Sequence, residues 1–155
     1  MQKITTFLAF QKNGKKAVDF YCLVFKDSKI DHVMMMPGQD MLLHAGFSLN
    51  GQEFMAMDVG VMDSFTFTDG ISLFVSCENQ EEVDYYYDAL LAGGGTESRC
   101  GWLKDQFGVS WQVIPVQLGQ LMGDPDPEKS GRVMQAMFKM KKLIIADLEA
   151  AYNRK

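Results

Sequence analysis

Two stretches of this chain run through the same order of elements, and that duplication constrains the fold more than any other feature. In the first, residues 3–10 alternate as a strand does, and Asn13-Gly14 opens a helix with Ala17, Val18, Phe20, Tyr21, Val24 and Phe25 on its apolar face. Lys29–Met36 reads as a second strand stopped by Pro37-Gly38. Met41–Leu49 and Glu53–Val59 follow, joined by Asn50-Gly51, a strong two-residue hairpin signal. After a loop rich in Asp, Ser and Thr (Gly60–Gly70) the order returns: strand Ile71–Cys77, helix Glu81–Leu91, a turn at Gly93–Gly95, and a short strand over Thr96–Arg99. Gly101–Phe107 and Val109–Ile114 then pair across Phe107-Gly108. An offset of 65 sets Val18, Asp19, Phe20 and Tyr21 on Val83, Asp84, Tyr85 and Tyr86, and an offset of 57 sets Gly51 on Gly108 and Phe54 on Trp111. Each half is therefore β-α-β-β-β, with module one over about 3–60 and module two over about 70–116.

The remainder, 117–155, is a helical tail. Asp124-Pro125-Asp126-Pro127 breaks the chain, Glu128–Met140 forms a helix with Val133, Met134, Met137 and Met140 on one side, and a last helix runs to about Asn153. The whole chain of 155 residues suits one domain in which neither module would stand alone.

Charge and cysteine usage exclude several classes. A net charge of −5 gives no basic footprint for nucleic acid, and the two densest lysine groups (Lys12, Lys15, Lys16 and Lys139, Lys141, Lys142) fall on helix faces open to solvent. No apolar run reaches the roughly 20 residues that span a bilayer. The N-terminus lacks a signal-peptide core, which points to a soluble, cytoplasmic protein. Three cysteines (Cys22, Cys77, Cys100) without C-x-x-C spacing suggest neither a disulfide framework nor a zinc ribbon. The unusual count is 12 methionines, of which Met34, Met35, Met36, Met41, Met55, Met57 and Met62 crowd into one segment and mark it as a cavity wall or an adaptable core.

Cys100–Pro115 (CGWLKDQFGVSWQVIP), Gly123–Tyr152 and Ile4–Phe25 resemble PhnB-like proteins, a family named 3-demethylubiquinone-9 3-methyltransferase domain within the glyoxalase/bleomycin-resistance/dioxygenase, or vicinal oxygen chelate (VOC), superfamily. The resemblance implies an α+β fold of paired βαβββ modules whose curled mixed sheets form a cleft, with C-terminal helices added, in a homodimer. It also implies a divalent metal held from the first and fourth strands of each module. Spacing from the helix start and the hairpin glycine places those positions at Thr6, Met55, Ile71 and Gln112, or with a one-residue slip at Thr5 or Phe7 and Gly70 or Ser72. None is His or carboxylate, so no metal and no other cofactor is expected. His32 and His44 form no H-x-E or H-E-x-x-H motif. Methyl transfer from S-adenosylmethionine commonly uses a glycine-rich strand-to-helix loop, whereas Gly93–Gly95 follows a helix and enters a strand.

The ligand-cleft candidates are therefore polar and soft side chains on strands: Trp102, Lys104, Ser110, Gln112, Met55, Met57, Asp58 and His44. Alternation puts Trp102 with Lys104 and Ser110 with Gln112. Trp102 is a stacking surface or a core residue, Lys104 and Asp105 a solvated pair beside the turn, Asp58 a cleft-mouth carboxylate or a strand-end cap. Three functions are consistent with this set. They are metal-independent binding of a small organic molecule, a VOC metalloenzyme using a degenerate site around Gln112 and His44, and a methyltransferase acting on a quinone precursor.

Overall fold

A computed structural model describes residues 3–61 and 66–154, so Met62 of the methionine-rich segment lies outside the described residues. The chain is α+β and divides into two compact units, Met1–Thr66 and Phe67–Lys155.

In the first unit, β1 (Thr6–Phe10), α1 (Gly14–Val24), β2 (Ser28–Met35), β3 (Leu42–Leu49) and β4 (Gln52–Asp58) make a mixed sheet in the order β1-β4-β3-β2. β1 runs parallel to β4, so the chain must cross back between them, and α1 with β2 and β3 makes that connection. Asn50 and Gly51 both take positive φ, 46° and 79°, as the tight hairpin turn between β3 and β4 requires. One sheet face carries Leu8, Phe10, Ala45, Phe47, Phe54 and Ala56, all buried together with Ala17, Val18, Tyr21 and Val24 of α1. The opposite face presents Phe7, Met34 and Met55 to solvent.

The second unit repeats the plan. β5 (Leu73–Cys77), α2 (Gln80–Leu91), β6 (Thr96–Glu97), β7 (Trp102–Lys104) and β8 (Ser110–Pro115) form a sheet in the order β5-β8-β7-β6, again with one parallel pair, β5 on β8. Val75, Cys77, Leu103, Trp111 and Val113 are buried along with Val83, Tyr87 and Leu90 of α2. The offset of 65 in the first strand and helix needs correcting. Cross-strand register sets Thr6 opposite Phe54 and Leu73 opposite Trp111, which makes Thr6, not Leu8, the counterpart of Leu73. In the helices the buried positions Ala17, Tyr21 and Val24 match Val83, Tyr87 and Leu90. Identity of letters had aligned residues that burial does not.

Beyond β8 the chain adds α3 (Val116–Met122), absent from the sequence reading, then α4 (Pro127–Met137) and α5 (Ile145–Asn153). Asp126 caps α4, accepting from the backbone N–H of Glu128 and Lys129 ahead of Pro127. Leu118, Val133, Leu143 and Leu148 form a small core with Met137 and Met140 packed on it, so the tail's apolar stripe is covered within its own unit except at Met134, which is 39% exposed. The tail is sewn to the sheet by backbone bonds: Cys100 and Gly101 donate to the carbonyls of Met140 and Lys141 at 2.8 and 2.7 Å. Gly101 has φ +82°, and a Cβ there would lie 2.7 Å from the Val113 carbonyl, so no other residue fits. Gln80 adds two more stitches, donating to the Leu143 carbonyl and accepting from the Ile145 N–H.

Two buried acids make this second unit sensitive to alkali. Burial pushes the Cys77 thiol from an ordinary 9.0 up to about 12, and burial together with the Glu97 carboxylate pushes Tyr87 from 10.0 up to about 12. Folding favours the neutral form of each, so their contribution is complete below the unfolded values and is lost as pH rises toward the folded ones. Unfolding followed by circular dichroism should weaken steadily from about pH 9 to about 12. The Cys77→Ala substitution should move that onset up to about pH 10, and Tyr87→Phe should flatten the loss above it; profiles unchanged in both variants would rule the pair out as its source.

Candidate functional site

Each sheet buries one face under its helix and leaves the other open, and the candidate residues sort themselves by face and by unit.

On the open face of the second unit, Trp102 lies directly across from Gln112, and Lys104 across from Ser110, with Phe74 on the far side of Gln112. The structure thus brings four of the candidates onto one surface. Ser110 is buried, and its hydroxyl donates to the Asp69 carboxylate at 2.7 Å. Lys104 reaches the same carboxylate oxygen at 3.2 Å. The Ser110 hydroxyl first, and the Lys104 ammonium second, hold the Asp69 carboxyl below the usual carboxylate range. Gln112 donates through Nε2 to the Ser72 hydroxyl at 2.8 Å. Beside this network a groove of about 540 Å³ runs along β6 and β7, lined by Asp69, Thr96, Glu97, Arg99, Trp102 and Lys104 among others. Its carboxylates are spoken for, Asp69 by Lys104 and Glu97 by Lys141, whereas Arg99 enters none of the ion pairs among the described residues. Among the described residues of the groove's lining, Arg99 is therefore the one cation that no carboxylate pairs, and it stands beside the Trp102 indole.

Asp105 is not the solvated partner of Lys104. It is 4% exposed, and its Oδ1 accepts from the N–H groups of Phe107 and Val109 while Oδ2 accepts from the Trp111 indole at 2.8 Å. A short polar residue just before a turn has captured the turn's own amides, which is why the charge lies inward.

Met55, Met57 and His44 belong to the first unit. Met55 lies across from Phe7 on β1 and Gly46 on β3, so the slipped register, with Phe7 rather than Thr6 on the open face, is the observed one. His44 sits on the same face with its ring centroid 6.0 Å from that of Phe7. Of the two readings of Asp58, the capping one matches its placement: it is 3% exposed, its Oδ1 accepting from Gly14 N and Oδ2 from Leu42 N, both at 2.8 Å. Each oxygen thus accepts one backbone N–H, which turns the carboxylate toward the starts of α1 and β3. Sequence reading also passed over the pairing of His44 with His32, whose ring nitrogens approach to 2.7 Å. Their spacing of twelve residues only becomes a contact once the β2–β3 register is known.

These residues do not fit the divalent metal that the superfamily implies. Register puts Phe74, not Ile71, Gly70 or Ser72, across from Gln112 as Phe7 is across from Met55, so three of the four positions offer no oxygen or nitrogen and Gln112 is bonded to Ser72. Among the described residues no three His, Cys, Asp or Glu side chains group as a metal site. Nor does the glycine run fit a nucleotide-type loop, since Gly95 N–H closes onto Leu91 O at the end of α2.

Comparison with known proteins adds a consistent picture. The family model described as 3-demethylubiquinone-9 3-methyltransferase matches residues 2–114, ending within β8. The crystallised PhnB protein of Bacillus cereus is 38% identical, over 74% of this chain and 100% of that one, with a TM-score of 0.69. A Pseudomonas aeruginosa protein of solved structure is 21% identical over 74% of this chain and 98% of its own, with a TM-score of 0.58. The fosfomycin resistance protein FosX of Listeria monocytogenes, solved with Mn(II) and sulfate, is 16% identical over 72% and 90%, with a TM-score of 0.52, and so shares the fold. No curated protein matches the chain.

Proposed function

Starting from the fact that the chain belongs to the 3-demethylubiquinone-9 3-methyltransferase family of PhnB-like proteins, in the VOC superfamily, we propose that it binds a small, flat organic acid on the open face of its second sheet, without the superfamily's divalent metal. One observation carries this reading: a groove of about 540 Å³ has Trp102 and the uncompensated Arg99 in its lining. The indole supplies a stacking plane, the guanidinium a bidentate partner for a carboxylate, and Thr96 and Ser98 polar edges that fix orientation. The family description names a methyl transfer. Nothing in the groove moves a methyl group by itself, so binding is the activity put forward.

Tryptophan fluorescence tests it directly, because the other indole, Trp111, is buried and fastened to Asp105. A library of aromatic and quinonoid acids should contain a compound that quenches saturably, resists chelators, and raises the unfolding temperature by mass action. Trp102→Ala should weaken that compound about tenfold and Arg99→Gln should weaken acids more than their esters. A library that yields no saturable quenching overturns the reading. The proposal extends to a cytoplasmic homodimer, supported by family membership and by the exposed apolar side chains of Ile71 and Phe74. Light scattering at a single chain's mass would remove the dimer.

A further inference from the structure

The methionine-rich segment has found no use in the groove of the second unit, yet the first unit gathers much of it around the only two histidines of the chain. His32 Nε2 and His44 Nδ1 lie 2.7 Å apart, with ring planes within 4° and centroids 4.9 Å apart. Nitrogens that close cannot belong to rings stacked face to face, whose planes would stand farther apart than that. The imidazoles are edge to edge, one N–H pointing at the other ring's lone pair. Gly46 makes this possible: it is His32's cross-strand partner, and a Cβ there would stand 2.6 Å from His32 Cε1. Around the pair, Met34 lies across from His44 on β2, and Met55 across from Gly46 on β4, with Met57 two residues further along the same face.

We infer that this face is a soft-metal site, taking monovalent copper between His32 Nε2 and His44 Nδ1 with a methionine thioether as third ligand. With Met34 on β2 as the thioether, the site is built on β2 and β3, apart from the β1 and β4 positions of the superfamily metal, and does not depend on the groove around Trp102. Two nitrogens aimed at one point are half of what a zinc ion requires, but they suffice for Cu(I), which accepts two or three ligands and favours thioethers. Entry of the ion is balanced without redox change. The proton held between the neutral rings shifts to the outer nitrogen of its own imidazole, leaving both inner lone pairs free. With metal–nitrogen bonds of about 2 Å, the inner nitrogens must part to roughly 3.3–4 Å, which half-exposed side chains on an open face can do. Met34, at 57% exposed, has room to swing onto the ion.

The test is an anaerobic Cu(I) titration of the full chain against a chromophoric Cu(I) chelator. It is run in a Cys22→Ser/Cys100→Ser background, because those half-buried thiols bind Cu(I) themselves. One equivalent should be withdrawn from the chelator, with X-ray absorption showing two nitrogens near 2 Å and one sulfur near 2.3 Å. His32→Ala and His44→Ala should each abolish competition. Gly46→Ala, which keeps every ligand but pushes the His32 ring aside, should cost about ten- to a hundredfold, and Zn(II) should not compete. Failure to take copper from the chelator, undiminished uptake by either histidine variant, or equal uptake of Zn(II) would each overturn the assignment.

Discussion

Asp105→Ala should cost the protein about 4 kcal/mol of stability and lower its unfolding temperature by roughly 10 °C, the largest effect expected of any single substitution outside the hydrophobic core. The reasoning counts donors. The Asp105 carboxylate accepts from three N–H groups, Phe107 and Val109 in the turn and the Trp111 indole in the sheet. Its neighbourhood is closed to solvent, with Asp105 4%, Val109 4% and Trp111 2% exposed. A charge-assisted bond contributes about 1.5–3 kcal/mol, and a buried donor left without a partner costs about 1–3. The three cannot all be rescued by water without opening the β7–β8 turn. Asp105→Asn retains one acceptor oxygen but turns an amide N–H toward another donor, so roughly half the loss should remain. Urea denaturation of the two variants measures both numbers, and the Trp111 emission should shift to the red as the indole loses its anchor. A loss below about 1 kcal/mol would show that the turn does not need the carboxylate.

Asp58→Ala should follow closely, at about 3 kcal/mol, for a related reason in the other unit. α1 begins at Gly14 with Asn13 in the left-handed region and no side-chain cap from its own sequence. Its cap arrives from 44 residues away: Asp58 Oδ1 accepts the Gly14 N–H, while Oδ2 accepts the N–H of Leu42 at the start of β3. The carboxylate also sits at the positive end of the helix. Removing it frees a helix start and a strand start together. Hydrogen exchange at Gly14 and Leu42 should accelerate before any global unfolding. Gly14→Ala is an independent probe of the same joint, since the added Cβ would stand 2.8 Å from Asp58 Oδ1. Slow exchange retained at both amides in Asp58→Ala would refute the shared anchor.

These two aspartates also show what a sequence can and cannot disclose. Strand and helix order was legible because turns punctuate it: Asn50-Gly51 demands positive φ, and Asp126-Pro127 starts α4 with both a cap and a fixed φ. The faces of Trp102, Lys104, Ser110 and Gln112 were legible because alternation on a strand admits only two answers. Charge was the misleading signal. Periodicity assigns Asp to solvent, yet a carboxylate that gathers backbone N–H groups is stable inside, and which amides reach it depends on residues 44 or 16 positions away. α3 was missed because Val116–Met122 has a glycine at its centre and no side-chain cap, so it forms on packing, through Leu118, rather than on propensity. The histidine pair was missed for want of register. Neither residue carries a motif, and only the β2–β3 ladder, irregular between Ile30 and His32, sets one ring against the other.

The manner in which the tail is sewn on has a consequence for how such a chain is made. The amides of Cys100 and Gly101, beside the Trp102 groove, find their acceptors in Met140 and Lys141, and the small core at Leu143 and Leu148 lies later still. A ribosome delivers the chain from the N-terminus at about 5–20 residues per second, so the turn between β6 and β7 emerges seconds before the segment that accepts its amides. During that interval the first unit can fold to completion, while the second holds an open edge that invites a wrong strand. The α4–α5 segment thus acts as a fastener that closes only after the sheet it seals has been made. A chain released early would carry an intact first sheet and a second one without its final seam.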